Sequence, residues 1–597
     1  MMARMPAPRV IVIGGGVAGL TVAHELAERG FGVDVYEARG SFGGKARSQP
    51  VPETGTAGRR DLPGEHGFRF YPRFYRHVID QMARIPVGPG TVADTLKPTT
   101  EAAIALIDDD TWYRFSRKKL TTPYSILETL EIFFQNLDFD AQDVTVFGAK
   151  LLQFATACDA RRLAEYEQVS WWTFLEAEQC SEKFQRQLRG IPRMMVAMDA
   201  QRGSARTIGV ISVQLLRDFS FTGMQNDRTL GGPTTQMWIE PWLAHLQSMG
   251  VTVHAGQPIA GIEVADGRIS GLRLPSGRRV TGDHYVLAVP MESAIALLTT
   301  ELGMLDPQLE RLRVLQVDDL VSWMSGIQYF LYEDVPLVRG HLFFPDSPWA
   351  LTAVSQPQFW RDLGLFRRVY GDGTVGGLIS VDISDWGTPG KLIPKPAKEC
   401  TRQEIADEVW WQLKAALNGV GEGGTILSDE LLHSWHLDDD LDILPGGGPT
   451  TNSSRLLVHP PGSWALRPEA ASTIPNLALA GDYVRTHTNI ASMESACEAG
   501  RRAANVILDR AGSSARRADV WPLEEPAFRA LKWLDHQLFQ AGRPHLFELL
   551  GIRQAVRAAA VIRRAEELLG LAKLDDWADQ YKLTTIVKVI LARLGVR

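Results

Sequence analysis

The amino-acid sequence predicts an α/β fold in which a parallel sheet is assembled from segments that lie far apart in the chain. Three patterns indicate this fold. The first is a strand, glycine turn, helix and strand in residues 9–37; the second is a strand, hairpin and strand between 251 and 290; the third is a strand, Gly481-Asp482 and a helix near residue 490. Long stretches rich in helix formers and aromatic residues separate the three patterns, so further domains are expected as insertions into the sheet.

The N-terminal pattern is a dinucleotide-binding fingerprint. A β-branched run at 10–13, typical of a buried parallel strand, leads into Gly14-x-Gly16-x-x-Gly19 and an apolar helical segment. In such a turn the first glycine permits the bend and the second lets a pyrophosphate approach the backbone. The third glycine lets helix and strand pack closely. The sequence therefore predicts a Rossmann-type unit.

Two further features of this unit have a chemical purpose. Val17 and Ala18 begin the helix, whose free N–H groups and positive dipole end suit the phosphates. Glu37 ends the second strand, where a carboxylate accepts hydrogen bonds from the adenosine ribose.

The segment directly after Glu37 distinguishes FAD from NAD. It contains a second glycine pair and basic residues, and it resembles the motif that extends the Rossmann fingerprint in the flavin amine oxidase and carotenoid desaturase superfamily. The resemblance implies that this loop lies against the pyrophosphate and flavin of FAD. The family usually has Arg where this chain has Lys45, which keeps the charge but loses the bidentate geometry. The residues assigned to the cofactor here are Ala38, Arg39, Gly43, Gly44, Lys45 and Ala46.

A second match to the superfamily lies near the C-terminus. Residues 476–483 read as a strand that ends in Gly481-Asp482, and a helix follows from about residue 491. The resemblance implies that Asp482 binds the ribitol chain and that the backbone at Ser492 and Met493 faces flavin N1 and O2. A helix N-terminus there would stabilise the negative charge of a reduced flavin. In the middle segment, the superfamily holds the adenine through the backbone at the position of Ile259.

Residues 65–71 (EHGFRFY) resemble a superfamily stretch that passes beside the flavin. The resemblance implies that Gly67, Phe68 and Arg69 contact the cofactor. A lone loop histidine is structural more often than catalytic, so His66 receives no catalytic assignment. No catalytic acid or base is identified from the sequence. The candidates that line the flavin are Arg69, Tyr71, Tyr483 and Thr488.

The three patterns and the insertions between them predict an interleaved domain organisation. A helical cap is expected to cover the substrate, and a second sheet is expected to line the substrate cavity. The expected segments are 8–110, 230–300 and 441–510 for FAD binding, 111–229 for the cap, 301–440 for the substrate-binding sheet and 511–597 for a C-terminal helical segment.

Composition excludes several other classes of protein. A net charge of −7 over 597 residues argues against nucleic acid as the main partner. The four cysteines form no CxxC pair and have no histidine pattern nearby, so no metal site is predicted and a reducing compartment fits best. The sequence shows no signal peptide and no apolar run of about 18 residues. The expectation is a cytoplasmic protein, with peripheral attachment to the inner face of the membrane left open.

One segment near the C-terminus bears on that attachment. Residues 581–597 hold four basic and no acidic side chains, with apolar residues at helical spacing. Such a segment is either a helix packed on the protein or an amphipathic helix on an anionic membrane surface.

The resemblance is strongest to the carotenoid (phytoene and ζ-carotene) desaturases. It implies transfer of a hydride from a C–H bond of a long apolar substrate, a carotenoid, other isoprenoid or lipid, to flavin N5. A flavin amine oxidase is the alternative on the same scaffold. A non-redox carotenoid isomerase, or a purely structural flavin, is the alternative from another class. Oxygen and a quinone both remain open as the electron acceptor.

Overall fold

Two sheets organise the molecule in this computed structural model. Segment 581–597 lies outside the described residues, so its packed and membrane-bound alternatives stay predictions. Over the described part of the chain, no helix has the length and apolar character needed to cross a membrane. The described residues are 7–108, 112–116, 140–218, 227–315, 318, 320–419, 424–444, 450–523 and 528–551.

The first sheet is parallel and confirms the predicted fold class. Its central strand, Arg9–Ile13, has Val10, Ile11 and Val12 fully buried, as expected of a strand covered on both faces. Residues 288–290 were expected to continue the fourth strand but leave the sheet and line a cavity instead. In spatial order the five strands are Thr252–His254, Gly32–Tyr36, Arg9–Ile13, His284–Leu287 and Leu477–Leu479.

Two helices from opposite ends of the sequence pack against each other in this unit. Val17–Ala27 follows the glycine turn, and Met493–Arg510 follows the last strand of the parallel sheet. They approach closely at Gly500, where a Cβ would lie 2.6 Å from the carbonyl oxygen of Ala18. The predicted hairpin forms between Gly261–Ala265 and Arg268–Arg273.

The second sheet is mixed and has seven strands, five of which lie in the segment 301–440 that was predicted to contain the substrate-binding sheet. Its first two strands along the chain lie at 101–105 and 112–116, so the predicted domain boundary at residue 110 falls inside this sheet. The apolar pattern did not reveal this, because a short buried strand has the same pattern in either sheet. In spatial order the strands are Trp112–Ser116, Glu101–Ala105, Gly340–Phe343, Thr352–Ser355, Gly377–Ile383, Ser325–Leu331 and Leu432–Leu437.

Helices form the predicted cap, and part of the C-terminal segment joins them. Helix Arg529–Gln540 contacts the cap through Asp535, which lies 2.9 Å from Arg161 in a pair that is almost fully buried. The helix Arg529–Gln540 of the C-terminal segment is therefore attached to the cap. The cap helices are Ala141–Thr156, Asp159–Ala164, Trp171–Leu175, Glu182–Val196 and Ala205–Asp218.

The remaining helices connect or cover the two sheets. Trp238 and Trp242 lie on one continuous helix. It begins as a π-helical turn, Thr235–Ile239, and continues as the α-helix Glu240–Ser248. The two indole rings stack with their centroids 5.7 Å apart. Helix Arg402–Leu417 packs on the mixed sheet. The other α-helices are Arg76–Met82, Met291–Leu297, Thr300–Leu305, Pro307–Arg313, Phe366–Val369 and Leu546–Leu550.

Candidate active site

Residues from both sheets and from the cap line one cavity of about 680 Å³, within the range of ligand pockets. Gly19 lies behind the wall, where a Cβ would come within 1.9 Å of the Gly14 carbonyl oxygen, so its role is helix–strand packing. The predicted cofactor residues that line the cavity are Gly14, Gly16, Val17, Ala18, Glu37, Ala38, Arg39, Gly43, Gly44, Lys45, Ala46, Gly67, Phe68, Arg69, Ile259, Gly481, Asp482, Ser492 and Met493.

The glycine turn forms an open cradle at one end of the cavity. Gly14 has φ +104°, and a Cβ there would lie 2.3 Å from the carbonyl oxygen of Ala288. At Gly16 a Cβ would meet nothing closer than the Cα of Gly44 at 3.7 Å, so backbone is exposed to the cavity. Within the described chain no side chain caps the helix that begins at Val17. Its first N–H groups are therefore available to phosphate oxygens.

Glu37 is fixed beside this turn. Its carboxylate accepts hydrogen bonds from the backbone N–H groups of Gly15 at 2.7 Å and Arg39 at 2.8 Å. These bonds hold the two oxygens at the cavity wall and leave further lone pairs for ribose hydroxyls.

Two loops meet across the cradle. Gly43 (φ +103°) and Gly44 (φ +61°) carry Lys45 toward the strand-end turn at Gly481. The ammonium group of Lys45 lies 3.5 Å from the carboxylate of Asp482. A cation and a carboxylate are thus available at one point for phosphate charge and ribitol hydroxyls.

The second helix N-terminus also reaches the cavity, as predicted. Ser492 caps the helix and accepts a hydrogen bond from the Ser495 N–H at 3.2 Å. Glu494, in the first turn of this helix, accepts backbone hydrogen bonds from Arg76, His77 and Val78 at 2.8–3.0 Å. The buried Glu494 carboxylate therefore joins the start of helix Arg76–Met82 to the cradle.

The open cradle, the uncapped helix and the positioned carboxylate all fit FAD. Three of the four residues expected to line the flavin, however, lie behind the cavity wall. Tyr71 is fully buried and packs edge-on against Trp238, since alternate residues of a strand face opposite sides and Phe70 takes the cavity side. Tyr483 donates to the Leu287 carbonyl at 3.2 Å, and Thr488 donates to Glu498 at 3.4 Å. Only Arg69 of these four reaches the cavity.

His66 belongs to a buried cluster of charged groups. Its Nδ1 lies 2.7 Å from Asp438, which also accepts a hydrogen bond from Gln49 at 2.8 Å. Although burial opposes ionisation, these partners hold the pKa of Asp438 below its usual value. Among the described residues, His66, Asp438 and Asp440 form the one group of potential ligands that is compact enough for a metal ion. Arg47 lies 2.7 Å from Asp440 and supplies the positive charge, so the cluster is an ion-pair network.

The far end of the cavity is the part of the lining that lies outside the FAD cradle. It consists of side chains that no motif had indicated. Most are apolar and come from the cap helices, helix Met291–Leu297 and the segment before Ser325. The mixed sheet adds three polar groups, His341, Thr352 and Asp382. Asp382, the one charged residue in the strand Gly377–Ile383, is a sequence signal that could have indicated this end of the cavity. The apolar residues include Met194, Met195, Ile211, Leu215, Leu297 and Met324.

Relatives of known function agree with the cofactor prediction. Residues 17–508 match the family of flavin containing amine oxidoreductases. The chain is 23% identical over 539 residues to the 15-cis-phytoene desaturase of Synechococcus elongatus, covering 86% of this chain and 99% of the relative. It is 24% identical over 545 residues to the zeta-carotene desaturase of Synechocystis, covering 84% and 97%.

The fold also has solved counterparts. Cyclohexylamine oxidase from Brevibacterium oxydans superposes with a TM-score of 0.57 at 16% identity, covering 85% of this chain and all of that one. The match shows a shared fold of a parallel sheet and an inserted second domain. The chain is thus an FAD-dependent oxidoreductase that belongs to the flavin containing amine oxidoreductase family, on its carotenoid desaturase-like branch.

Proposed function

We propose that this enzyme is a desaturase that introduces a C=C bond into a long apolar substrate, a carotenoid, another isoprenoid or a lipid. The observation that carries the proposal is the apolar far end of the cavity, continuous with the FAD cradle. Methionine side chains such as Met194, Met195 and Met324 suit a long flexible chain, because they adapt to irregular shapes.

The cradle residues would hold the cofactor in this scheme. Backbone N–H groups at Val17 and Ala18 bind the pyrophosphate, Glu37 binds the ribose, and Asp482 binds the ribitol chain. The positive end of the helix that begins at Met493 would stabilise negative charge on the flavin ring. When bound, the flavin accepts the hydride from the substrate. The protein orients the chain and excludes water from it.

The same proposal covers the supply of substrate and the removal of electrons. A long isoprenoid has negligible solubility in water, so the protein would take it from a membrane surface, where a quinone is available as acceptor. Oxygen is the competing acceptor. We therefore place the enzyme in the cytoplasm, in contact with the inner face of the membrane.

Product analysis tests the proposal. Holoprotein is incubated with liposomes that contain 15-cis-phytoene or ζ-carotene and a benzoquinone, and the extracted polyenes are analysed by mass. A loss of two hydrogens per turnover supports desaturation. A product of unchanged mass and altered double-bond geometry would favour the isomerase alternative instead, and oxidation of primary amines alone would favour the amine oxidase.

A further inference from the structure

Three polar side chains interrupt the apolar end of the cavity. Asp382 and Thr352 are paired residues on neighbouring strands of the mixed sheet, and Phe343 is the partner of Thr352 on the next strand. His341 packs on the same wall, with its ring centroid 4.2 Å from that of Phe343. A cavity for a hydrocarbon has no structural need of the Asp382 carboxyl or the Thr352 hydroxyl, because burying a polar group without a partner costs free energy.

The Asp382 carboxyl is held in place but not fully hydrogen-bonded. It is only 6% exposed and accepts a hydrogen bond from the backbone N–H of Phe68. A Cβ on Gly67 would lie 2.6 Å from Oδ1, so the glycine allows the carboxyl to approach this loop. Among the described residues, neither Oδ1 of Asp382 nor Oγ1 of Thr352 has a hydrogen-bond partner. Both atoms are buried, and both belong to residues that line the cavity.

We propose that the Asp382 carboxylate accepts the proton that the substrate loses during desaturation. The inference rests on the proposed function. One C–H bond breaks and its proton forms an O–H bond with the Asp382 carboxylate. The electron pair left behind becomes the second bond of the C=C, while the adjacent carbon loses a hydride to the oxidised flavin. The carboxyl then returns the proton to water.

The electrostatic surroundings suit a base at neutral pH. Burial raises the pKa of Asp382 to about 7, with Arg69 and the Phe68 N–H opposing the rise and the carboxylates of Asp438 and Glu65 adding to it. The imidazole groups of His66 and His341 belong to residues that line the same cavity. Below this pKa the group is protonated and cannot accept a proton. The rate of flavin reduction should therefore rise with pH and reach a plateau above about pH 7.

The first arm of the test needs no substrate. Infrared pH-difference spectra of the FAD-loaded protein are recorded for the wild type, Asp382→Asn and the exposed-turn control Asp266→Asn. We expect a carboxylic acid C=O band that disappears with a midpoint near pH 7 in the wild type and the control and is missing in Asp382→Asn. A band of equal size in Asp382→Asn would overturn the inference.

The second arm measures the chemistry. Anaerobic stopped-flow mixing with 15-cis-phytoene liposomes follows the bleaching of the flavin as a function of pH. Asp382→Asn should slow this reduction by about 10²-fold or more and remove its rise with pH, while the FAD content stays unchanged. An Asp382→Asn variant that keeps the wild-type rate and pH profile would refute the role of Asp382 but leave the proposed function intact. A wild type that neither phytoene nor ζ-carotene reduces would refute the proposed function itself.

Thr352→Val separates the role of Asp382 from a general disturbance of this wall of the cavity. The substitution keeps the shape of the side chain and removes a hydroxyl that makes no hydrogen bond to Asp382. We expect the pH dependence of flavin reduction to be retained, because Asp382 is still present. A pH profile that disappears in Thr352→Val as well would contradict the assignment of the proton to Asp382.

Discussion

The FAD cradle and the apolar far wall share one cavity but are built differently. The cradle uses backbone: glycines at Gly14 and Gly16, and two helix N-termini. The far wall uses side chains, from cap helices such as Glu182–Val196 and from the mixed sheet. A cradle of backbone requires glycines at fixed spacing, so it can be recognised as a sequence motif. A wall of side chains can be made from many combinations of residues, so it produces almost no recognisable motif.

The largest expected effect comes from the carboxylate that joins the cradle to helix Arg76–Met82. Glu494→Ala removes the acceptor of three backbone N–H groups and of the His77 ring, all buried. We expect a loss of about 3–5 kcal/mol in the free energy of unfolding, measured by denaturant titration of the apoprotein. The control Glu301→Ala, also in the first turn of a helix but exposed, should change it by less than about 0.5 kcal/mol.

The second prediction tests the glycine spacing. In Gly19→Ala the new Cβ would overlap the Gly14 carbonyl oxygen at 1.9 Å, which should cost about 3 kcal/mol and lower the Tm of the apoprotein. Gly40→Ala is the matched control, because nothing lies within 4 Å of its Cβ position. Equal Tm values for the two variants would show that the close packing at Gly19 does not determine the fold.

The third prediction concerns affinity rather than stability. Glu37→Gln keeps the shape of the side chain but replaces one acceptor oxygen with a donor, next to the Gly15 N–H. Losing a charged hydrogen bond costs about 1.5–3 kcal/mol, so FAD should bind about 10-fold to about 100-fold more weakly in calorimetry. Glu263→Gln is the control, because Glu263 lies in the hairpin and does not line the cavity, and it should leave the Kd for FAD unchanged. An unchanged Kd for FAD in Glu37→Gln would contradict the assignment of Glu37 to the ribose.

The smallest effect belongs to the far wall. Met195→Ala shortens an apolar side chain at the cavity, so the affinity for liposomal phytoene should fall by about 1–2 kcal/mol while the Kd for FAD does not change. Met304→Ala is the control, since Met304 is 81% exposed. A loss of FAD in Met195→Ala would contradict the division of the cavity into two functional ends.

The same division explains what the sequence could and could not predict. The spacing of the glycine turns and of the acids at the strand ends identifies them in the sequence. For this reason nearly all residues of the cradle were predicted. Tyr71 was wrongly expected in the wall, because a two-residue strand does not reveal which face its side chains take. Asp382 was missed, since its strand has the pattern of a buried apolar strand and its exposure depends on residues distant in the chain. For a similar reason, the strand Glu101–Ala105 fell within the segment 8–110 that was predicted for FAD binding, although it belongs to the mixed sheet.

The central claim is that an apolar chain, held at the far wall, reduces the flavin held in the cradle. Anaerobic titration of the holoprotein with 15-cis-phytoene in liposomes, followed by the absorbance of the oxidised flavin, tests it most directly. We expect the absorbance of the oxidised flavin to bleach and to saturate at one desaturation per FAD. The bleaching should be faster at pH 8 than at about pH 6, because Asp382 is ionised at pH 8. Flavin that stays oxidised with phytoene and ζ-carotene, but bleaches with a primary amine, would contradict the account.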